Sequence, residues 1–160
     1  MFDASAPHGI HSYWKTENVA ELEDGAVDSL VEGAAAAVSP MAQVHVHHVE
    51  GAVARGDRNA TAFGRRDSRY IANVVGLWPD PALQEGEIAW VRSVAERLRA
   101  YSPGGAYLNF FDADEGDTRI RAAYGPEKYE HLVALKDSYD PDNVFRLNQN
   151  IRPSGGEADA

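Results

Sequence analysis

The chain has 160 residues, 44% hydrophobic and 25% charged, enough for one domain with its own core and too few for two ordinary ones. A net charge of −10 argues against nucleic acid or an anionic membrane as partner, because phosphates are held by clustered Lys and Arg. The absence of cysteine excludes disulfides, thiolate metal centres and cysteinyl cofactor attachment within the chain. No run reaches membrane-spanning length and the first residues lack a signal-peptide core, so a cytoplasmic location is expected.

In chain order, residues 1–23 read as irregular, with a short strand at His11–Thr16. Asp24 caps a helix whose apolar face is Val27, Leu30, Val31, Ala34 and Val38, ended by Ser39-Pro40. MAQVHVHHVEG then alternates as a strand, with Val44 and Val46 on one side and His45 and His47 on the other. After a turn-rich connection, Arg69–Leu77 is a second strand, rich in β-branched side chains. Glu85–Tyr101 is a helix with Ile88, Val91, Val94, Ala95, Leu98 and Tyr101 inward. Ser102-Pro103-Gly104-Gly105 leads into a third strand at Ala106–Phe111. An acidic loop at Asp112–Asp117 follows, and a short helix begins near Asp117. A longer helix has Pro126 at its first position and Tyr129, Leu132, Val133 and Leu135 buried.

This order predicts an α+β fold, an antiparallel β-sheet covered by helices on one face and open on the other. Residues 24–105 form the body of the domain, 106–153 complete it, and 154–160 are a disordered tail.

Three constellations invite chemistry. His45 and His47, at i and i+2 with His8, His11, His48 or Glu50 nearby, suggest a metal, but half-buried strand or pocket histidines fit the spacing better. The DADEGD run lacks the twelfth-position Glu of a calcium loop, since that position is Ala123, and reads as a solvated acidic loop. No Gly-rich phosphate cradle or G-x-S-x-G elbow is present, so a nucleotide cofactor needs another segment for its phosphates. The strand at 106–111 sets Tyr107 and Asn109 on one face, donors and acceptors suited to a heteroaromatic edge, with Phe110 opposite.

In YLNFFD, Tyr107, Asn109, Phe110 and Asp112 fit a Y-x-N-[FY]-x-D pattern, followed by YGPEKYEHLVALKDSYDPDNVF and NQNI. Upstream stand HVHHVEGAVAR, ATAFGRRDSRYIANVVGLW and WVRSVAERL. In this order, from Ser29 to Pro153, the chain resembles the C-terminal half of berberine-bridge-enzyme-like FAD-linked oxidases. The resemblance implies a substrate domain over whose sheet a flavin lies, with FAD held mainly by an FAD-binding domain or subunit. It implies Tyr107, Asn109, Asn148 and Asn150 as cofactor contacts, and His45, His47, Asn73 and Phe110 as the pocket for a small-molecule substrate. Where the family often places a catalytic tyrosine, this chain has Phe110, which carries no titratable proton. The base is then one of the strand histidines, or hydride transfer needs little base help, or the chain is an inactive remnant. A non-catalytic module forming a homodimer through the open sheet face is the alternative from another class.

Overall fold

The computed structural model describes residues 7–57, 59–64, 66–112 and 114–155. Strands β1 (His11–Val19), β2 (Gln43–His48) and β3 (Tyr70–Trp78) form an antiparallel sheet in the order β1-β3-β2. The fold is α+β. Along the central strand, Val19 lies opposite Tyr70 and His11 opposite Trp78 on one side, with His48 opposite Tyr70 and Gln43 opposite Val75 on the other. Its run YIANVVGLW does not alternate because both of its faces are covered, Ile71 to Trp78 all being buried.

Helices α1 (Asp24–Ala35) and α3 (Gln84–Leu98) cover one face, α3 over β1 and β3 and α1 over β2. Between α1 and α3, helix α2 (Ala52–Arg55) is a single turn in the β2–β3 connection. The core joins Tyr13, Val19, Ala72, Val74 and Trp78 of the sheet to Leu30 of α1 and Trp90, Val91, Val94 and Leu98 of α3. Each fully buried aliphatic side chain here stabilises the fold by roughly 2 kcal/mol. The two helices meet at Gly33, where a Cβ would lie 2.9 Å from the Val94 methyls and where Trp90 Nε1 donates to the Gly33 carbonyl at 2.8 Å.

Several expectations are corrected. The strand expected at His11–Thr16 is longer: β1 runs to Val19 and pairs along its whole length with β3. The segment 106–111 is not a strand but contains a 3₁₀ turn at Leu108–Phe110. Helix α1 ends at Ala35 and buries Ala26, Leu30 and Gly33, leaving Val27, Val31 and Val38 40%, 63% and 46% exposed. Helix α4 (Asp117–Tyr124) precedes α5 (Pro126–Tyr139), whose one buried side chain is Tyr129, while Leu135 is exposed. In the expected disordered tail, Ser154 N donates to Asp137 at 2.7 Å, and residues 156–160 lie outside the described residues.

The acidic loop is a clamp rather than a solvated loop. Lys15, on β1, is buried and sets its ammonium 2.5 Å from Asp114 and 2.7 Å from Glu115. Tyr13 Oη donates to Asp114 at 2.6 Å and Arg92 Nη2 does so at 3.1 Å. Arg119 joins Glu115 to the buried Glu17, 2.9 Å from each, and donates to the Thr16 carbonyl at 3.0 Å. Asp112 accepts from Trp14 N at 3.3 Å. Burial pushes the Asp114 carboxyl up, but Lys15, Tyr13 and Arg92 outweigh it and bring it from 3.8 to about 2. Burial also raises Glu17, which Arg119 and Arg99 only partly oppose.

Replacing Lys15 by Met would leave the Glu115 carboxylate, 4% exposed, with Arg119 as its remaining cation. The loss should be about 2 kcal/mol, below that of a fully unpaired buried charge, read as a lower urea midpoint. Asp114 is depressed, so its share of stability is present above its ordinary 3.8 and lost as pH falls toward about 2. The deficit of Lys15→Met should therefore shrink over that interval, and a deficit independent of pH would contradict the clamp.

Glu87 is 0% exposed, with Oε1 accepting from Ser39 N at 2.5 Å and Oε2 without a partner among the described residues. Burial raises its carboxyl, opposed by the Ser39 N–H, so the folded state holds the proton more tightly than the unfolded chain. Its stabilising share is present at low pH and lost as pH rises through the raised value. Glu87→Gln keeps the acceptor for Ser39 and should raise Tm at pH 8 by a few degrees while leaving it unchanged near pH 4. Equal melting temperatures at pH 8 would refute this.

Candidate functional site

The 3₁₀ turn decides which side chains meet. Phe110 N donates to the Tyr107 carbonyl at 2.9 Å and Phe111 N to that of Leu108 at 3.0 Å. Side chains at i and i+3 eclipse in such a turn, so Tyr107 and Phe110 fall on one side. Their ring centroids are 5.2 Å apart and nearly perpendicular. A flat strand would have put them on opposite faces.

Phe110 lies over the sheet face away from α1 and α3. It stacks on His47 at 5.4 Å and meets Trp14 at 6.3 Å, while Tyr107 meets Phe63 at 5.7 Å. His45, two residues before His47, has its ring edge-on to His47 at 6.1 Å and bonds Gln43 Oε1 through Nε2 at 2.8 Å. Burial, with a smaller effect from His47, lowers its pKa. Asn73 pairs in register with His45, is 2% exposed, and leaves its Oδ1 without a partner among the described residues.

Of the expected cofactor contacts, Asn109 and Asn148 share a cleft of ≈ 770 Å³ with Trp14, Phe111, Asp112 and Gln149. Asn109 also borders, with Tyr107, a second cleft of ≈ 300 Å³ lined by Asn18, Phe63, Ile71 and Tyr124. Asn109 Nδ2 donates to Tyr107 Oη at 2.8 Å. Asn148 holds a left-handed backbone (φ 59°), which an asparagine tolerates better than most residues. Asn150 lines neither cleft, and its backbone N donates to the Asn148 carbonyl at 2.9 Å. Trp14, Phe63 and Gln149 belong to the site although the sequence reading singled out none of them. The signal available for Trp14 was its parity on β1, which sets it opposite Val75 on the face away from α1 and α3. His48 pairs with Glu50 at 3.1 Å, and among the described residues no three His, Cys, Asp or Glu converge to hold a metal.

The donor set fits one part of a flavin nucleotide. The amides of Asn109, Asn148 and Gln149 beside the Trp14 indole offer donors, acceptors and an aromatic face to a heteroaromatic ring. Among the described residues no Lys or Arg lines this cleft, and Asp112 and Glu115 do. Dinucleotide phosphates find no cationic partner among these residues.

Residues 106–152 match the family described as "Berberine and berberine like". The chain is 28% identical over 129 residues to aclacinomycin-N/aclacinomycin-A oxidase of Streptomyces galilaeus, covering 71% of this chain and 24% of that protein. It is 28% identical over 103 residues to tetrahydroberberine oxidase of Berberis wilsoniae, covering 56% and 19%. In fold it is similar to a glycopeptide hexose oxidase solved with teicoplanin, with a TM-score of 0.77, 24% identity, and coverage of 91% of this chain and 33% of that one. It is likewise similar to berberine bridge enzyme from Eschscholzia californica, with a TM-score of 0.77, 21% identity, and coverage of 93% and 34%. The chain thus spans between about a fifth and a third of the length of these proteins. In its segment 106–152 the chain matches the berberine-type family, and over most of its length it is similar in sequence and fold to one part of these oxidases.

Proposed function

We propose that this chain is the substrate-binding and flavin-capping part of an FAD-dependent oxidoreductase acting on an alcohol, sugar or amine. The observation that carries the reading is the cleft uniting Trp14, Asn109, Asn148 and Gln149 beside the His47–Phe110 stack. FAD, when bound, supplies the hydride acceptor, with O₂ the final oxidant. Asn109 and Asn148 orient the ring edge, and Trp14, Phe110 and His47 form an aromatic wall that keeps water from the reacting substrate. Phe110 cannot move a proton, so His45 and His47 are the groups of this wall able to take one from a substrate hydroxyl.

The phosphates require a second polypeptide element, an FAD-binding domain or subunit. Its docking surface is the loop after α5. Asp140 accepts from Val144 N at 2.8 Å and from Phe145 N at 3.1 Å, and Lys136 reaches both Asp140 and the Phe145 carbonyl. This fixed backbone leaves Tyr139, Val144, Phe145 and Leu147 more than two-thirds exposed, with Leu147 also on the rim of the larger cleft. Apolar side chains presented in this way mark a docking surface.

The test is co-expression with the FAD-binding part of a relative such as the aclacinomycin oxidase, followed by purification and flavin fluorescence titration. A yellow complex with quenched flavin is expected. Asn109→Ala with Asn148→Ala, removing two hydrogen bonds, should weaken flavin retention roughly tenfold. A complex without flavin, or a double variant that retains it like the wild type, would overturn the reading.

A further inference from the structure

Two histidines of the aromatic wall are able to take a proton, and the fold does not treat them alike. His47 has one ring face against Phe110 at 5.4 Å, and among the described residues no hydrogen bond sets its ring nitrogens. His45 differs. Its Nε2 lies 2.8 Å from Gln43 Oε1, on the same face of β2. An amide oxygen only accepts, so Nε2 carries the hydrogen, and in the neutral ring Nδ1 then carries the lone pair. Burial, with a smaller effect from His47, holds the His45 ring below its ordinary pKa, which keeps that lone pair ready to accept. Across the ladder Asn73, and above the wall Phe110, bring no charge of their own.

Asn73 adds a second observation. It stands opposite His45 in the ladder, and cross-strand partners have their Cβ atoms about 5 Å apart on one face. It is 2% exposed, and among the described residues its Oδ1 accepts no hydrogen bond. A buried acceptor without a donor costs stability until something supplies one. The His45 ring can supply it only when Nδ1 is protonated, because Nε2 already serves Gln43.

We propose that Gln43 is a positioning residue that fixes the His45 tautomer, making Nδ1 of His45 the atom that receives the substrate proton, with Asn73 Oδ1 as acceptor for the resulting N–H. The inference rests on the proposed oxidoreductase role and deepens it. For an alcohol substrate, the O–H bond breaks as its proton passes to Nδ1. The C–H bond breaks as hydride leaves for FAD, the oxidant of that role, and the O–H electron pair closes the C=O bond. One proton and one hydride leave, a two-electron oxidation, and Phe110 has no part in the path of the proton.

The experiment is nitrogen–hydrogen correlation NMR of the imidazole rings in the full 160-residue chain, labelled in nitrogen, across a pH titration. His45 should show a protonated Nε2 and a bare Nδ1 in the neutral ring, and the proton added as pH falls should appear at Nδ1. Gln43→Leu should speed exchange of the Nε2 hydrogen with water about fivefold and bring in the other tautomer. Gln43→Glu keeps an acceptor of the same length, restores the tautomer and raises the titration midpoint. Below the midpoint, the Nδ1 hydrogen should exchange about fivefold faster in Asn73→Leu than in the wild type. A wild-type neutral ring protonated at Nδ1 overturns the proposal, and so does an unchanged tautomer and exchange in Gln43→Leu. Unchanged exchange in Asn73→Leu overturns the part assigned to Asn73. A flavin complex that forms while His45 holds the other tautomer sinks this inference alone. The expected tautomer in a chain that retains no flavin with an FAD-binding part sinks the oxidoreductase role instead.

Discussion

The Lys15 ammonium, buried between Asp114 and Glu115, is the contact on which the rest of the site depends. It ties the edge of the sheet to a segment about a hundred residues away in sequence. Arg119, shared between Glu115 and Glu17, closes the same knot from α4. Because the segment is held there, the preceding turn must lie over the open face, and Phe110 reaches His47 across it. Burying ions this way is expensive, and the cost is offset only because each charge finds partners at hydrogen-bond distance. The clamp is therefore better understood as fixing a position than as adding stability.

Legibility in the sequence followed how one-sided each element is. Helix α3 was plain because Val91, Val94, Ala95 and Leu98 recur at helical spacing and all are buried. β2 was plain because it alternates. β1 was legible only as far as Thr16, since Lys15 and Glu17 sit in the interior and interrupt the apolar run that a strand should show. The valines of α1 misled: Val27 and Val31 have helical spacing, yet packing chose Ala26, Leu30 and Gly33, the small residues that allow close approach to α3. The acidic loop misled for a related reason, because charge in a sequence reads as solvent exposure until its counter-charges, distant along the chain, are known.

Within the site, the residue types were legible and their geometry was not. Tyr107 and Phe110 stood three apart in a segment that looked extended, and only the 3₁₀ turn brings the rings together. Asn109 and Asn148 were singled out from a motif, but the cleft joining them also needs Trp14 and Gln149, which lie on separate stretches of chain. For the proposed cofactor, the lining of that cleft serves one half of recognition. Its amides and indole suit a ring, while among the described residues it offers phosphate no cation.

As the docking surface proposed above, the loop after α5 would have a kinetic meaning as well. Its backbone is already fixed by Asp140 and Lys136, so Val144 and Phe145 do not have to be ordered when a partner arrives. Conformational entropy that a flexible tail would lose on association is here lost during folding. Productive encounters then need only the right orientation, not a search through loop conformations. A docking surface built in this way would favour quick capture of a partner over the adaptability of a disordered segment.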